Sequence, residues 1–145
     1  MIRINPDVGA GHHDHCITGG PASKFGIYID QIDEAKKIAK KYNLKIVGIH
    51  SHIGSGILDV DIFIEAMDII LNEAKKFDDL DIIDIGGGIG IPYYEHDKPI
   101  DIKLLGAKIT NKIESFNKEY KKEVNLYIEP GRYIVGNAGY LLAEV

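Results

Sequence analysis

The chain has 145 residues, 17 basic and 22 acidic, a formal net charge of −5 at pH 7, and 45% hydrophobic residues, the composition of a domain that builds a core. No apolar run approaches the roughly 18 residues of a spanning helix, no basic region leads into an apolar segment and cleavage site, and no basic stripe offers a footprint for nucleic acid. These features exclude membrane and nucleic-acid partners and predict a cytosolic protein that meets small molecules or other chains; the one cysteine, Cys16, excludes an internal disulfide.

In chain order, Met1 to Asn5 reads as a strand and Pro6 to Ser23 as a long polar loop. Asp30 is placed to cap a helix whose stripe is Ile32, Ala35, Ile38, Ala39 and Tyr42, with Asn43 as terminator. Lys45 to His50 is the next strand, and Asp59 or Asp61 caps a helix bearing Ile62, Ala66, Ile69, Ile70, Ala74 and Phe77. Leu80 to Ile85 is a third strand; Leu105, Ile109, Ile113, Phe116 and Tyr120 make a helical stripe; Asn125 to Glu129 is a fourth strand. Strands recurring about every forty residues with a helix between each pair predict a parallel α/β sheet. A doubly wound sheet and part of a (β/α)8 barrel both fit this pattern. A whole barrel needs about 250 residues, so four strands would be half of one.

The segments able to do chemistry all follow strands, where parallel α/β folds place their sites. Asp84-Ile-Gly-Gly-Gly88 runs a strand into three glycines, a setting in which backbone N–H groups can approach an anion, phosphate above all. Ile91 breaks the dinucleotide-binding spacing, and no Gly-Lys-Ser/Thr follows. His50 and His52 point to the same side of an extended segment, and Ser55 between Gly54 and Gly56 offers a second phosphate cradle. Glu129 and Arg132 put a carboxylate and a guanidinium at the end of the fourth strand. They either pair with one another or serve a cofactor whose basic ring nitrogen a carboxylate keeps protonated. In His12-His13-Asp14-His15-Cys16 adjacent side chains diverge, so a site-lining loop is favoured over a metal cluster.

Taken together, Arg3-Ile-Asn-Pro-Asp7, Ser23-Lys-Phe-Gly26, His50-Ser-His-Ile-Gly-Ser55, Asp84-Ile-Gly-Gly-Gly88 and Glu129-Pro-Gly-Arg132 resemble the pyridoxal-phosphate-dependent decarboxylases of the alanine-racemase-like barrel fold, nearest those acting on diaminopimelate. The resemblance implies a partial (β/α)8 TIM barrel of about four βα units with parallel strands. Residues 1–131 would be the C-terminal half of the cofactor-binding barrel, and 132–145 the start of a following β domain, with its first strand from Tyr133 to Val145. It implies pyridoxal 5'-phosphate as cofactor, no metal, and a homodimeric carboxy-lyase converting meso-diaminopimelate to L-lysine and carbon dioxide.

Residue by residue, the resemblance implies that His52 stacks on the pyridine ring. Ser55, Gly86, Gly87 and Gly88 hold the phosphate, and Glu129 pairs with the ring nitrogen. Arg132 binds either the phosphate or a substrate carboxylate, the latter favoured because two carboxylates on the substrate need a cation. The Schiff-base lysine of such enzymes has no counterpart among the motifs here, so the chain is expected to be inactive by itself. Ornithine, arginine or carboxynorspermidine as substrate, or a non-catalytic relative that keeps the fold as a binding protein, are the alternatives.

Overall fold

The computed structural model describes residues 1–11, 18–21 and 23–144. Its elements are β1 (Ile2–Asn5), β2 (Ile27–Tyr28), α1 (Ile32–Lys41), β3 (Gly48–His50), α2 (Val60–Ala74), β4 (Ile82–Asp84), α3 (Ile102–Tyr120), β5 (Asn125–Tyr127) and α4 (Arg132–Val135), with a 3-10 turn at Ile29–Gln31 before α1. The strands form one parallel sheet in the order β2-β1-β3-β4-β5. The four strands expected from the sequence are present and shorter than expected; β2 is additional.

Register divides the sheet into two unlike faces. Ile2, Ile49, Ile83 and Leu126 are aligned across β1, β3, β4 and β5, and belong to or pack against the apolar core beneath the helices, Ile49 and Ile83 being wholly buried. One residue along, Arg3, His50, Asp84 and Tyr127 are aligned in the same way, and the alternation of a strand turns them to the other face. Helices α1, α2 and α3 follow one another along the apolar side. Lys36 of α1 lies over the Phe77 ring just after α2, and α2 and α3 are joined by Lys108–Asp61, Lys112–Asp68 and Lys75–Glu119. A doubly wound sheet would cover both faces with helices; here α1, α2 and α3 share one face and the other carries a polar row, which is how the wall of a barrel is built.

Local chemistry accounts for the element ends. Asp59 caps α2, its carboxylate accepting the Asp61 N–H at 2.8 Å, and Asp101 caps α3 by accepting the Leu104 N–H at 2.9 Å. Asn43, at φ 54°, stops α1 as the sequence suggests. The expectation that Asp30 caps α1 fails, because Asp30 lies inside the 3-10 turn and Gln31 occupies the cap position without a side-chain bond. The predicted α1 stripe is also only partly buried: Ile32 is in the core, whereas Ile38 and Tyr42 are exposed. α1 stands at the end of the helix row, where Lys36 reaches Phe77 and Lys76 past the end of α2.

In α2 the buried positions include Phe63, Met67 and Leu71 as well as Ala66, Ile70 and Ala74, while the expected Ile62 and Ile69 are only partly buried, so the buried stripe is shifted from the expected one. The strand expected from Tyr133 is not formed. Arg132–Val135 is a helical turn, and residues 136–144 join no sheet, with Tyr140, Leu141 and Leu142 all more than 90% exposed; a strand needs a neighbour to take its N–H and C=O groups. No helix among the described residues is long and apolar enough to cross a membrane.

Candidate functional site

The segments leaving β3, β4 and β5 stay in contact beyond the sheet, and this continuation makes the site. Ser51 donates its N–H to Asp84 O, Ile85 to Tyr127 O, Glu129 to Gly86 O at 2.8 Å, Ile57 to Gly88 O and Gly90 to Ile57 O. Backbones this close exclude side chains. A Cβ on Gly86 would lie 2.3 Å from Ser51 O, one on Gly87 2.1 Å from Glu129 O, and one on Gly88 2.3 Å from Gly54 O. Gly86 and Gly88 also sit at φ 71° and 100°, where a side chain is strained regardless of space.

The three glycines therefore differ in what their amides do. Gly86 N–H is donated to Asp84 Oδ1 at 2.9 Å and Gly87 N–H to His52 Nδ1 at 3.1 Å. Among the described residues, Gly88 is the one of the three whose N–H is not committed within the protein. Gly86 and Gly87 shape the turn; Gly88 has a donor to offer. Ser55 stands between Gly54 and Gly56 on the loop whose carbonyl touches Gly88.

His52 is held from three sides. Its Nδ1 accepts from Gly87, and its carbonyl accepts from Arg3 Nη2 at 3.1 Å and Thr18 Oγ1 at 2.9 Å. An accepting Nδ1 places the proton of the neutral ring on Nε2. Burial, with the Arg3 charge nearby, lowers the affinity of His52 for a second proton below its ordinary value. The ring is thus kept neutral with one tautomer selected.

The long loop after β1 is tied to the same place. Ile53 O accepts the N–H groups of Ala10, Thr18 and Gly19. Buried Asn5 accepts the N–H groups of Gly20 and Asp7 and donates to Gly20 O. The cluster His12 to Cys16 lies outside the described residues, and so does its expected role in lining the site.

Glu129 and Arg132 do not pair with one another among the described ion pairs. Glu129, its side chain 54% exposed, has its Oε2 3.4 Å from Nε2 of His50, whose ring is 16% exposed. Ligand atoms of His50, Asp84 and Glu129 lie within 4.8 Å of one another, and Asp84 Oδ1 also accepts the Gly86 N–H. Arg132 opens α4 and lies over the Tyr93 ring at 5.7 Å. Its Nη1 is buried and finds no hydrogen-bond partner among the described residues. A buried guanidinium nitrogen without an acceptor calls for an anion. Beside Tyr93 a cavity of about 750 Å³ is lined by Gly56, Leu58, Ile91, Tyr94, His96 and Asp97.

The structure thus brings His52, Gly86, Gly87, Gly88 and Glu129 together at one edge of the sheet, with Ser55 on the adjoining loop and Arg132 three residues beyond Glu129. Arg3 and Asp84 belong with them and have no role assigned from the sequence; His50, expected only to face one cavity with His52 toward a metal or a planar ligand, instead meets Glu129. Their signal was a polar residue at the alternate position of each apolar strand, the pattern of a strand with two unlike faces.

Comparison with known proteins agrees with this geometry. Residues 1–136 match the family described as pyridoxal-dependent decarboxylase, pyridoxal binding domain. The chain is 44% identical over 150 residues to a diaminopimelate decarboxylase of Methanothermobacter thermautotrophicus, covering 99% of this chain and 35% of that protein. It is similar in structure to a crystal structure of diaminopimelate decarboxylase, with a TM-score of 0.81 and 32% identity over 92% of this chain and 32% of the other. The diaminopimelate decarboxylase of Helicobacter pylori complexed with L-lysine gives a TM-score of 0.79 and 34% identity over 91% of this chain and 33% of the other. The chain spans about a third of the length of these relatives. Their likeness extends over the parallel sheet and its helices, and the fold is part of a barrel of the kind they share.

Proposed function

Because the chain belongs to the pyridoxal-dependent decarboxylases, within their pyridoxal binding domain, we propose that the edge where β3, β4 and β5 end holds pyridoxal 5'-phosphate in a carboxy-lyase that converts meso-diaminopimelate to L-lysine and carbon dioxide. The names of the relatives support the substrate. The observation that carries the cofactor site is the Gly88 amide, uncommitted among the described residues, at the end of a glycine turn whose Gly87 N–H is donated to His52 and whose Gly86 carbonyl accepts the Glu129 N–H. These donors fit the group: an amide and a hydroxyl for its phosphate, a flat imidazole for its ring, a carboxylate for its basic nitrogen.

Bound there, pyridoxal phosphate supplies the electron sink that a departing carboxylate requires. Glu129 keeps a proton on the ring nitrogen and so makes the sink deeper. His52 supports one ring face without adding charge beside that proton. Gly88 N–H and Ser55 hold the phosphate, while Gly86 and Gly87 set the turn that aims Gly88. Arg132 takes a substrate carboxylate in this reading. A homodimer in the cytosol is part of the same proposal.

Calorimetric titration of the chain with pyridoxine 5'-phosphate, which lacks the aldehyde and cannot react with surface lysines, tests the site. Saturable binding is expected, at least tenfold weaker in Gly88→Ala, whose new Cβ would strike Gly54 O. Equal binding by the two proteins, or none by the unsubstituted chain, would contradict the assignment.

A further inference from the structure

We propose that His50 is a positioning residue for the cofactor: its imidazole holds Oε2 of Glu129, so that the other carboxylate oxygen is presented to the pyridine nitrogen. This rests on the reading of Glu129 given above and adds to it a residue that reading leaves unused.

Glu129 lies two residues past the end of β5 and is half exposed, so its side chain has rotamers to choose among, and a carboxylate serving a single ring atom needs one of them. His50 is better fixed. It ends β3 in the middle of the sheet, paired in register with Arg3 on one side and Asp84 on the other, and its ring is largely covered. Its Nε2 already lies 3.4 Å from Glu129 Oε2, a long contact of the kind that tightens when the other partner of a site arrives.

Two carboxylates stand near His50, and the contact the structure shows is with Glu129. Asp84 is buried, and its Oδ1 is spent on Gly86 N–H. Its carboxylate and that of Glu129 lie within 4.8 Å of the imidazole and of each other, so the two acids repel. Of the three side chains only His50 can donate a hydrogen bond. The contact from His50 limits how far the half-exposed Glu129 carboxylate can turn. His52, two residues on, has its Nδ1 occupied by Gly87. The two histidines thus divide the work: one supports the ring face and the other aims the acid at the ring nitrogen.

The discriminating test compares pyridoxine 5'-phosphate with its analogue carrying C–H in place of the ring nitrogen, titrated calorimetrically into the chain and into His50→Phe and His50→Gln. Phenylalanine fills the space without a donor, whereas glutamine restores an N–H. For His50→Phe a roughly tenfold loss of affinity is expected with the nitrogen-containing ligand and none with the analogue. For His50→Gln most of the affinity should return. Equal losses with both ligands, or no loss with either, would overturn the positioning role while leaving the cofactor site standing. Failure of the unsubstituted chain to bind either ligand would overturn both.

Discussion

Glu129 and Arg132 stand three residues apart and work in different directions, and their substitutions should separate accordingly. Glu129 reaches toward His50, and in the proposed function its charge serves a ring nitrogen. In an enzyme carrying this segment, Glu129→Gln keeps a hydrogen-bonding group and loses the ability to hold the nitrogen protonated. Turnover should fall on the order of 100-fold while cofactor affinity changes little, since the proton matters most in the transition state. Equal turnover in the two proteins would remove Glu129 from that role. Arg132, lying over the Tyr93 ring with one nitrogen buried and without a partner among the described residues, is proposed to take an anion. Replacement by lysine trades a planar fork for a point charge. The Michaelis constant for diaminopimelate should rise about tenfold or more with cofactor retention intact. Weakened retention with an unchanged Michaelis constant would reassign Arg132 to the phosphate.

At the scale of elements, the two ends of the sheet are built differently. The carboxyl ends carry close-packed glycines and few ion pairs, whereas the amino ends of β4 and β5 carry a charge network. Asp79 accepts from Lys122 and pairs with Lys45 at 2.7 Å, and Lys122 also reaches Asp81 at 2.6 Å. The bonds from Lys122 and then Lys45 hold the Asp79 carboxyl down to about 2, and those bonds with Asp79 and Asp81 push Lys122 up to about 12. A carboxyl whose value is lowered by folding stabilises the fold above its ordinary value, and that help is lost as pH falls from about 4 through about 2. The raised Lys122 helps below its ordinary value and ceases to as pH rises through about 12. Asp79 and Lys45 are exposed and Lys122 is only partly covered, so the effect is small and screened by salt. In urea unfolding, Asp79→Asn should have a lower midpoint than the unsubstituted chain at neutral pH. The two should converge between pH 4 and 2 and in high salt. A difference independent of pH would show that the network does not act through charge.

Elements and motifs were legible in the sequence to unequal degrees. Asn43, Asp59 and the stripe of Leu105, Ile109 and Phe116 act locally, through backbone conformation, a cap and helical period, and the structure keeps each of them. Asp30 and the exposed Ile38 departed from expectation because what decides them is the 3-10 turn before α1 and the helix that stands beside it. β2, two residues long, has no periodic signal to read. In the site, the glycines of 86–88 were visible as a group, but their division into two that shape the turn and one that offers a donor depends on Asp84 and His52. His50 and Asp84 come together only through strand register, which a sequence states weakly. The expected strand after Arg132 failed for a similar reason: pairing depends on neighbours.

For the whole molecule, a single apolar face covered by α1, α2 and α3 leaves the opposite face, with Arg3, His50 and Asp84, to the interior of a barrel wall. All the proposed cofactor contacts lie at one end of that wall, and the central claim is that this wall supplies them. The most direct measurement replaces the matching segment of the Methanothermobacter thermautotrophicus diaminopimelate decarboxylase, 44% identical, with residues 1–136 of this chain. Pyridoxal phosphate retained after dialysis is then followed together with carbon dioxide released from meso-diaminopimelate. The account predicts a chimaera that retains the cofactor and decarboxylates, and that loses turnover far more than cofactor when Glu129→Gln is added. A folded chimaera that retains no cofactor, or one whose turnover is indifferent to Glu129, would contradict it.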